Sequence, residues 1–400
     1  MAKTISQRVG ELADSVLEPA WAKLMQMSWP IRAAMLGIFV SLFTVWQFPS
    51  LAIWASASLA GPKPAASQPL GSASESADLA ATRNHSPGQI RAELAPVLGN
   101  GLRTADLSDQ TAWSLSQSII ALAGLPGVTL PERDRLIAQM ESSRHGARFC
   151  WSELLHEDEQ PCVYFISGWV LSAYAKLGKA VQPQDIDFVL SIQEPDGSWP
   201  MFEGSSSRYA STYATSWLMI GLGEQLKRNL IPPAQFEAVR AAIDRGGVWL
   251  VRNKETGEAK WKAFPGLRSS RTSWSLSGLA IHALALNHQA GVTPIYREWL
   301  NSLPAHAATL DNELTTYVEV QTDRGIRIDH FVQFLVPWTI TGTVDSMAVD
   351  DPELRERGRR FIRQALANPA VTTAGSDERT WWQAELLIGL RNVEDSRISI

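Results

Sequence analysis

The chain has 400 residues, a formal net charge of −5 and 19% charged residues, which suits one large globular domain or two small ones. It has no basic stripe of the kind that binds nucleic acid, so we expect no nucleic-acid partner. Its 16 Trp residues outnumber its 12 Phe and 6 Tyr residues, which favours helices packed through large rings or a cavity lined by aromatic faces.

Residues 1–32 form the first segment of the chain. They carry Lys3, Arg8, Lys23 and Arg32, and their apolar residues recur at helical spacing. This pattern predicts a short amphipathic helix. The helix could lie on the cytoplasmic surface of a membrane or be an ordinary solvated helix.

Residues 33–60 form an apolar run without a charged side chain. About 20 apolar residues in a helix span a bilayer, so the run predicts a single transmembrane helix in the inner (plasma) membrane. Because basic residues lie mostly before the run, we expect a cytoplasmic N-terminus and a periplasmic or extracellular C-terminal domain. We interpret the run as an uncleaved signal anchor. The alternative is a cleaved signal peptide, because Ala55-Ser56-Ala57 fits a cleavage site.

Residues 61–86 are rich in Ala, Ser and Pro and predict a flexible linker. In residues 87–400 a coarse repeat follows, in which Pro marks the start of an amphipathic stretch, as is favoured at the first helical position. A more apolar stretch with a Trp comes after each start, and these Trp residues are 44 to 64 residues apart. The Pro residues are Pro87, Pro131, Pro183, Pro232, Pro294 and Pro352, and the Trp residues are Trp113, Trp169, Trp217, Trp274, Trp338 and Trp382.

A repeat of this length indicates units of two helices, one with a charged face and one mostly apolar. Charged faces belong outside and apolar helices inside. The sequence therefore predicts an all-α domain, an (α/α)6 toroid of six helical hairpins. The segment Glu313–Ile328 could also hold a short β-hairpin.

The segment SIQEPDGSW, which ends at Trp199, resembles the repeat motif of squalene–hopene cyclases and related triterpene cyclases. The segments SDQTAWSL and STYATSW are similar to inner-helix segments of the same proteins. The wider group includes protein prenyltransferase β-subunits and complement-type thioester domains, which are α/α toroids. The resemblance covers roughly residues 90–390 and implies that toroidal fold. The motif residues, to which we assign a structural role in joining neighbouring hairpins, are Gln193, Asp196, Gly197 and Trp199.

The catalytic motifs of these families are missing from the sequence. It has no D-x-D-D motif, and Asp345 is the best remnant of a cyclase acid. Neither Cys150 nor Cys162 matches the context of the prenyltransferase zinc site, and the C-x-E-Q thioester motif is absent. We therefore expect no metal and no cofactor. The two cysteines could form a disulfide outside the cytoplasm or remain buried thiols.

Loops that lead into the predicted inner helices would surround one mouth of the central cavity. They are rich in Arg, whose guanidinium group suits carboxylate or phosphate, so the mouth could bind an anionic ligand. The alternative is that these residues are solvated and cap helices. Among the loop residues His330 could act as a general base. The candidate ligand-binding residues are Arg208, Tyr209, Arg268, Arg271, Arg327 and Arg379.

Three functions fit the sequence, and whether the chain is an enzyme stays open. The first is a membrane-anchored, extracytoplasmic, terpenoid-cyclase-like toroid that binds or processes an isoprenoid or another lipid-linked anionic substrate. The second is a non-catalytic scaffold that binds protein partners in the cell envelope. The third is a glycan hydrolase or lyase, which would need two carboxylates facing each other across a cleft.

Overall fold

The structure is a computed structural model that describes most of residues 87–396. The described residues are 87–104, 111–123, 125, 133–152, 161–205, 209–267, 270, 272–307, 316–321, 327–332, 336–367 and 380–396. The predicted N-terminal segment, transmembrane helix and linker (residues 1–32, 33–60 and 61–86) lie outside these ranges. Within them, no helix has the length and apolar character needed to cross a bilayer.

The described part of the chain contains twelve α-helices, which we number in chain order. The even-numbered helices are buried on nearly all sides, whereas the odd-numbered helices bury one face. Their bounds are α1 Pro87–Thr104, α2 Ala112–Leu122, α3 Arg133–Ser142, α4 Tyr164–Lys176, α5 Pro183–Ser191, α6 Thr212–Lys227, α7 Phe236–Arg252, α8 Trp274–Leu286, α9 Val292–Ala307, α10 Val336–Ser346, α11 Pro352–Ala367 and α12 Thr380–Asp395.

The six even-numbered helices form a closed ring. Each one packs against the next, from α2 through α4, α6, α8 and α10 to α12, and α12 packs against α2. The odd-numbered helices contact this ring from outside, for example α1 against α12, α7 against α6 and α9 against α10. The described part of the chain is thus mainly helical, as predicted, with the apolar helices inside and the charged ones outside.

Local sequence sets where many of these helices begin. Thr111, Ser211 and Ser273 cap α2, α6 and α8, since each side-chain oxygen accepts a hydrogen bond from the backbone N–H three residues later. Three of the six Pro residues stand at the first position of an outer helix, namely Pro87, Pro183 and Pro352. Pro294 does not, because α9 begins two residues earlier, at Val292.

In the ranges that the structure describes, two short antiparallel hairpins lie between helices. Strand β1 (Trp261–Lys262) pairs with β2 (Thr272–Ser273), and β3 (Thr316–Gln321) pairs with β4 (Arg327–Val332). The second hairpin lies where the sequence suggested one, but it starts three residues later and extends to Val332.

Three Trp residues that precede even-numbered helices make the same type of hydrogen bond. Each is fully buried and donates its indole N–H to a carbonyl oxygen near the C-terminal end of the preceding outer helix. This bond ties each outer helix to the chain that enters the next inner helix. The bonds join Trp151 to Met140 at 2.6 Å, Trp199 to Val189 at 3.0 Å and Trp261 to Leu250 at 2.7 Å.

The motif around Trp199 forms a tight turn bound to α7. Gln193 donates to the carbonyl oxygens of Gly197, at 2.9 Å, and of Ala242, at 2.8 Å. Asp196 accepts from the backbone N–H of Ser198 and from the indole of Trp249. Gly197 has a φ of 97°, and a Cβ there would lie 2.4 Å from the carbonyl oxygen of Arg245. These contacts support the structural role proposed for the motif.

Candidate functional site

A cavity of about 580 Å³ opens where five inner helices end. Its walls come mainly from the C-terminal halves of α2, α4, α6, α8 and α12, together with Trp217 from the N-terminal half of α6, Trp338 of α10 and Arg91 of α1. A concave site of this size, enclosed by several elements, suits a small ligand. The sequence-based hypothesis instead placed the site at the other mouth of the ring, where the loops enter the inner helices.

Aromatic and aliphatic side chains form the inner part of this cavity. Trp217 and Trp338 line it and meet edge to face, with ring centroids 5.2 Å apart. Behind them Trp169 stacks on Trp217 at 3.4 Å. The indole Nε1 of Trp217 has no hydrogen-bond partner among the described residues. Three isoleucines add aliphatic surface to the cavity: Ile120, Ile220 and Ile388.

A buried carboxyl group, Glu385, lies directly behind this aromatic wall. Its residue is 1% exposed, and it accepts hydrogen bonds from Nε1 of Trp338 and from Nε2 of Gln117, the latter at 2.6 Å. Burial raises the pKa of Glu385 to about 8, although both hydrogen bonds act to lower it. Glu385 is therefore mainly neutral near pH 7.

Basic side chains predominate on the outer part of the cavity wall. Among the described residues, five basic and three acidic side chains line it, an excess of two positive charges. Nζ of Lys176 lies 2.9 Å from the carboxylate of Glu224, in a largely buried ion pair. Burial acts to raise the pKa of Glu224, but the Lys176 ammonium outweighs it and the net pKa is lowered. Burial also lowers the pKa of Lys176, because it outweighs the attraction of the Glu224 carboxylate.

The buried guanidinium of Arg391 caps a helix end at this wall. It donates to the carbonyl oxygens of Ile120, at 2.8 Å, and Ala123, at 3.1 Å, at the C-terminus of α2. A cation at this point offsets the negative end of the helix dipole. The positive charge of Arg391 is thus already balanced by the end of α2. The other basic side chains of the wall can face a ligand.

His282 and Asp345 meet on the same wall. Nδ1 of His282 donates to Oδ2 of Asp345 at 2.9 Å, and His282 lines the cavity. The ring of His282 lies beside Trp338, with centroids 6.1 Å apart. The candidate cyclase acid Asp345 is therefore the partner of a histidine that the sequence-based interpretation did not select.

The other predicted site residues are placed as follows. Tyr209 is 7% exposed, and its ring packs edge-on against Phe264 in the core. His330 lies on β4, opposite Val318 on β3, and Arg327 begins β4. The structure joins Cys150 and Cys162 in a disulfide. Four of the candidate ligand-binding residues lie outside the described ranges: Arg208, Arg268, Arg271 and Arg379.

Sequence reasoning missed the polar residues of the ring interior, although a signal was present. Glu385 is the one charged residue in the apolar run WWQAELLIGL, and His282 the one titratable residue in WSLSGLAIHAL. A polar group in such a run is usually buried and paired. Within the described ranges, no group of three or more His, Cys, Asp or Glu residues is arranged to hold a metal ion.

Comparison with known proteins gives a partial match to terpene cyclases. No family model matches the chain. The type B diterpene cyclase of Mycobacterium tuberculosis (strain ATCC 25618 / H37Rv) is 25% identical over 125 residues, which cover 31% of this chain and 22% of that protein. The ent-copalyl diphosphate synthase from Streptomyces platensis superposes with a TM-score of 0.46 and 15% identity, over 70% of this chain and 50% of its own.

The chain therefore matches about a fifth of the length of its curated relative. The chain is similar to a diterpene cyclase and has a terpenoid cyclase-like, mainly helical fold.

Proposed function

We propose that this protein binds or processes an isoprenoid or another lipid-linked anionic molecule in the cavity at the C-terminal ends of the inner helices. One observation carries the proposal: the cavity joins an apolar inner part, with Trp217 and Trp338, to an outer wall with excess positive charge. An isoprenoid chain would bury its apolar surface against the rings. A phosphate head group would lie near Lys176 and Arg228.

We also propose the toroidal architecture and the membrane location that the sequence predicts. The closed ring supports an (α/α)6 toroid of six hairpins. Residues 33–60 would anchor it in the inner membrane, with the toroid on the periplasmic side. A membrane-tethered cavity would reach its ligand within or at the bilayer surface.

The described carboxyl groups favour binding over cyclase-type protonation. Protonating an alkene needs an unusually strong acid, whereas burial weakens Glu385 as an acid. The sequence also lacks a D-x-D-D motif. We therefore favour ligand binding over catalysis as the function of the cavity.

The two alternatives have less support from the described residues. Among the large hydrophobic side chains of the described residues, Val248 alone is exposed. No apolar patch for a scaffold partner is therefore evident in those ranges. A glycan hydrolase would need two available carboxylates. Of the three described carboxylates that line the cavity, Glu224 and Glu394 are ion-paired with Lys176 and Arg91, which leaves one, Asp395.

The binding proposal is tested with the full chain in detergent, by calorimetric titration of farnesyl phosphate, farnesol and inorganic phosphate. We expect saturable binding that is tightest for farnesyl phosphate, because only this probe has both the apolar chain and the charge. The double variant K227Q/R228Q, which removes two exposed cavity charges, should weaken binding about fivefold at low salt.

The matched control is R240Q/R252Q, which removes two exposed charges from α7, outside the cavity. It should bind as the wild type does. Absence of saturable farnesyl phosphate binding, or equal weakening in both double variants, would contradict the proposal.

A further inference from the structure

His282 lines the cavity, and one of its two ring nitrogens is held by Asp345. The His282 side chain is 19% exposed and belongs to the cavity wall. Among the described residues it has one hydrogen bond, from Nδ1 to Oδ2 of Asp345. A carboxylate can only accept, so this bond places a proton on Nδ1 and leaves Nε2 available. A histidine held in this way presents a defined nitrogen to a ligand.

A carboxylate and an aromatic ring lie beside His282. Asp345 is partly buried, with 22% of its side chain exposed, and its charge contributes, after burial, to raising the pKa of nearby Tyr296. The ring of Trp338 lies beside that of His282, tilted by 41°. The other ionisable groups that the neighbouring helices α6, α9 and α10 bring to this region are Glu224, Lys227, Arg228, Tyr296 and Asp345.

We propose that His282 also binds the phosphate head group of the cavity's ligand, together with the basic side chains of the wall, as an imidazolium that donates a hydrogen bond from Nε2 to a phosphate oxygen. Asp345 is a positioning residue that fixes the ring and stabilises its charge. This inference rests on the proposed function and specifies a side chain that recognises the head group. The isoprenoid would then lie in the cavity with its apolar chain towards Trp217 and its phosphate towards His282.

The test is long-range ¹H–¹⁵N NMR of the histidine rings in the full chain, with and without saturating farnesyl phosphate. The free protein should show His282 as the Nδ1–H tautomer. Farnesyl phosphate should convert its Nε2 signal to that of a protonated nitrogen, whereas farnesol should not. This readout on the wild type does not depend on whether a variant folds.

Variants separate the two roles. H282N places its amide near the Nδ1 position and should keep the Asp345 contact, but it should lose about tenfold in farnesyl phosphate affinity. H282Q, whose amide reaches the Nε2 position, should recover part of that loss. D345N should change the tautomer distribution of His282, an effect that a merely structural role would not produce. The control H288Q alters an exposed histidine just beyond the end of α8 and should change neither binding nor the His282 signals.

The failures are distinguishable. If farnesyl phosphate does not bind the wild type, the proposed function and this inference are both wrong. If it binds but leaves the His282 signals unchanged, or if H282N binds as tightly as the wild type, then only the inference is overturned.

Discussion

Trp338 of α10 donates its indole N–H to the carboxyl group of Glu385 on α12, and the two residues join neighbouring helices of the inner ring. Gln117 of α2 binds the other oxygen of the same carboxyl group. One buried acid thus connects three helices, including the first and the last of the ring. A polar group so deeply buried is stabilising only when it is paired and neutral, because its charged form has lost its hydration.

Replacing Glu385 by Gln should remove a pH dependence of stability. The pKa of Glu385 is raised by burial to about 8, against an ordinary value of 4.5, so the folded state holds this proton more tightly than the unfolded state. The stabilisation from the bound proton is fully present below about pH 4.5 and is lost as the pH rises through about 8. The free energy of unfolding of the wild type should therefore fall across this range relative to that of E385Q.

Urea unfolding at pH 5, 7 and 9 measures this difference. Other groups titrate in both proteins, so the quantity of interest is the wild-type value minus the E385Q value at each pH. A difference that stays constant from pH 5 to 9 would show that Glu385 titrates normally.

Close packing of α4 against α6 makes Gly221 sensitive to substitution. A Cβ on Gly221 would lie 2.5 Å from the carbonyl oxygen of Gly168, which is backbone and cannot rotate away. G221A should lower the free energy of unfolding by about 2 kcal/mol or more, as overpacking does. The control G247A also introduces a methyl group into a helix, but there the nearest atoms belong to the flexible Gln289 side chain. Equal stability losses in thermal unfolding would rule out this explanation.

The sequence predicted the helix pattern because that pattern is local. All six Trp residues chosen from the repeat lie in even-numbered helices, and Ser or Thr at the caps marks where several of them begin. A sharper repeat was also present in the sequence but was not recognised. Trp199 and Trp261 are each followed 16 residues later by a Ser or Thr whose hydroxyl accepts the Trp backbone N–H.

The candidate site could not be predicted in the same way, because its contacts join residues far apart in the chain. Gln117 and Glu385 are separated by 268 residues, and His282 and Asp345 by 63. Periodicity predicts which face of each helix points inward, but it does not predict which inward-facing side chains contact one another. The choice of Arg-rich loops followed charge alone, whereas the charges that line the cavity come from the ends of the inner helices.

Loss of the Cys150–Cys162 disulfide should destabilise the folded state. The two cysteines are 12 residues apart and both are fully buried. In the chain-entropy model a bridge of this span stabilises by about 3 kcal/mol. The variant C150A/C162A should lose stability of that order in urea unfolding under oxidising conditions. Dithiothreitol should lower the free energy of unfolding of the wild type and leave that of the variant unchanged. Two reactive thiols in the unfolded, unreduced wild type would show that the bridge does not form.

Asp196→Ala should weaken the fold and leave ligand binding intact. The Asp196 carboxylate accepts from the backbone N–H of Ser198 at 2.9 Å and from the indole of Trp249 at 3.1 Å, and it therefore ties the turn to α7. Losing these two bonds and the third, which the Ser198 hydroxyl donates at 2.7 Å, should lower the free energy of unfolding by about 1–3 kcal/mol. Asp196 does not line the cavity, so the Kd for farnesyl phosphate should stay within about twofold of the wild-type value at a temperature where both proteins are folded.

The matched control for this change is D244A. Asp244 lies on the exposed side of the same helix α7 and accepts one bond, from Gln289 at 3.3 Å. Its loss should change stability by less than about 0.5 kcal/mol, as is usual for exposed positions. A D196A protein with normal stability but impaired farnesyl phosphate binding would show that the turn belongs to a ligand site. The motif that resembles the cyclase repeat would then have a functional role as well as a structural one.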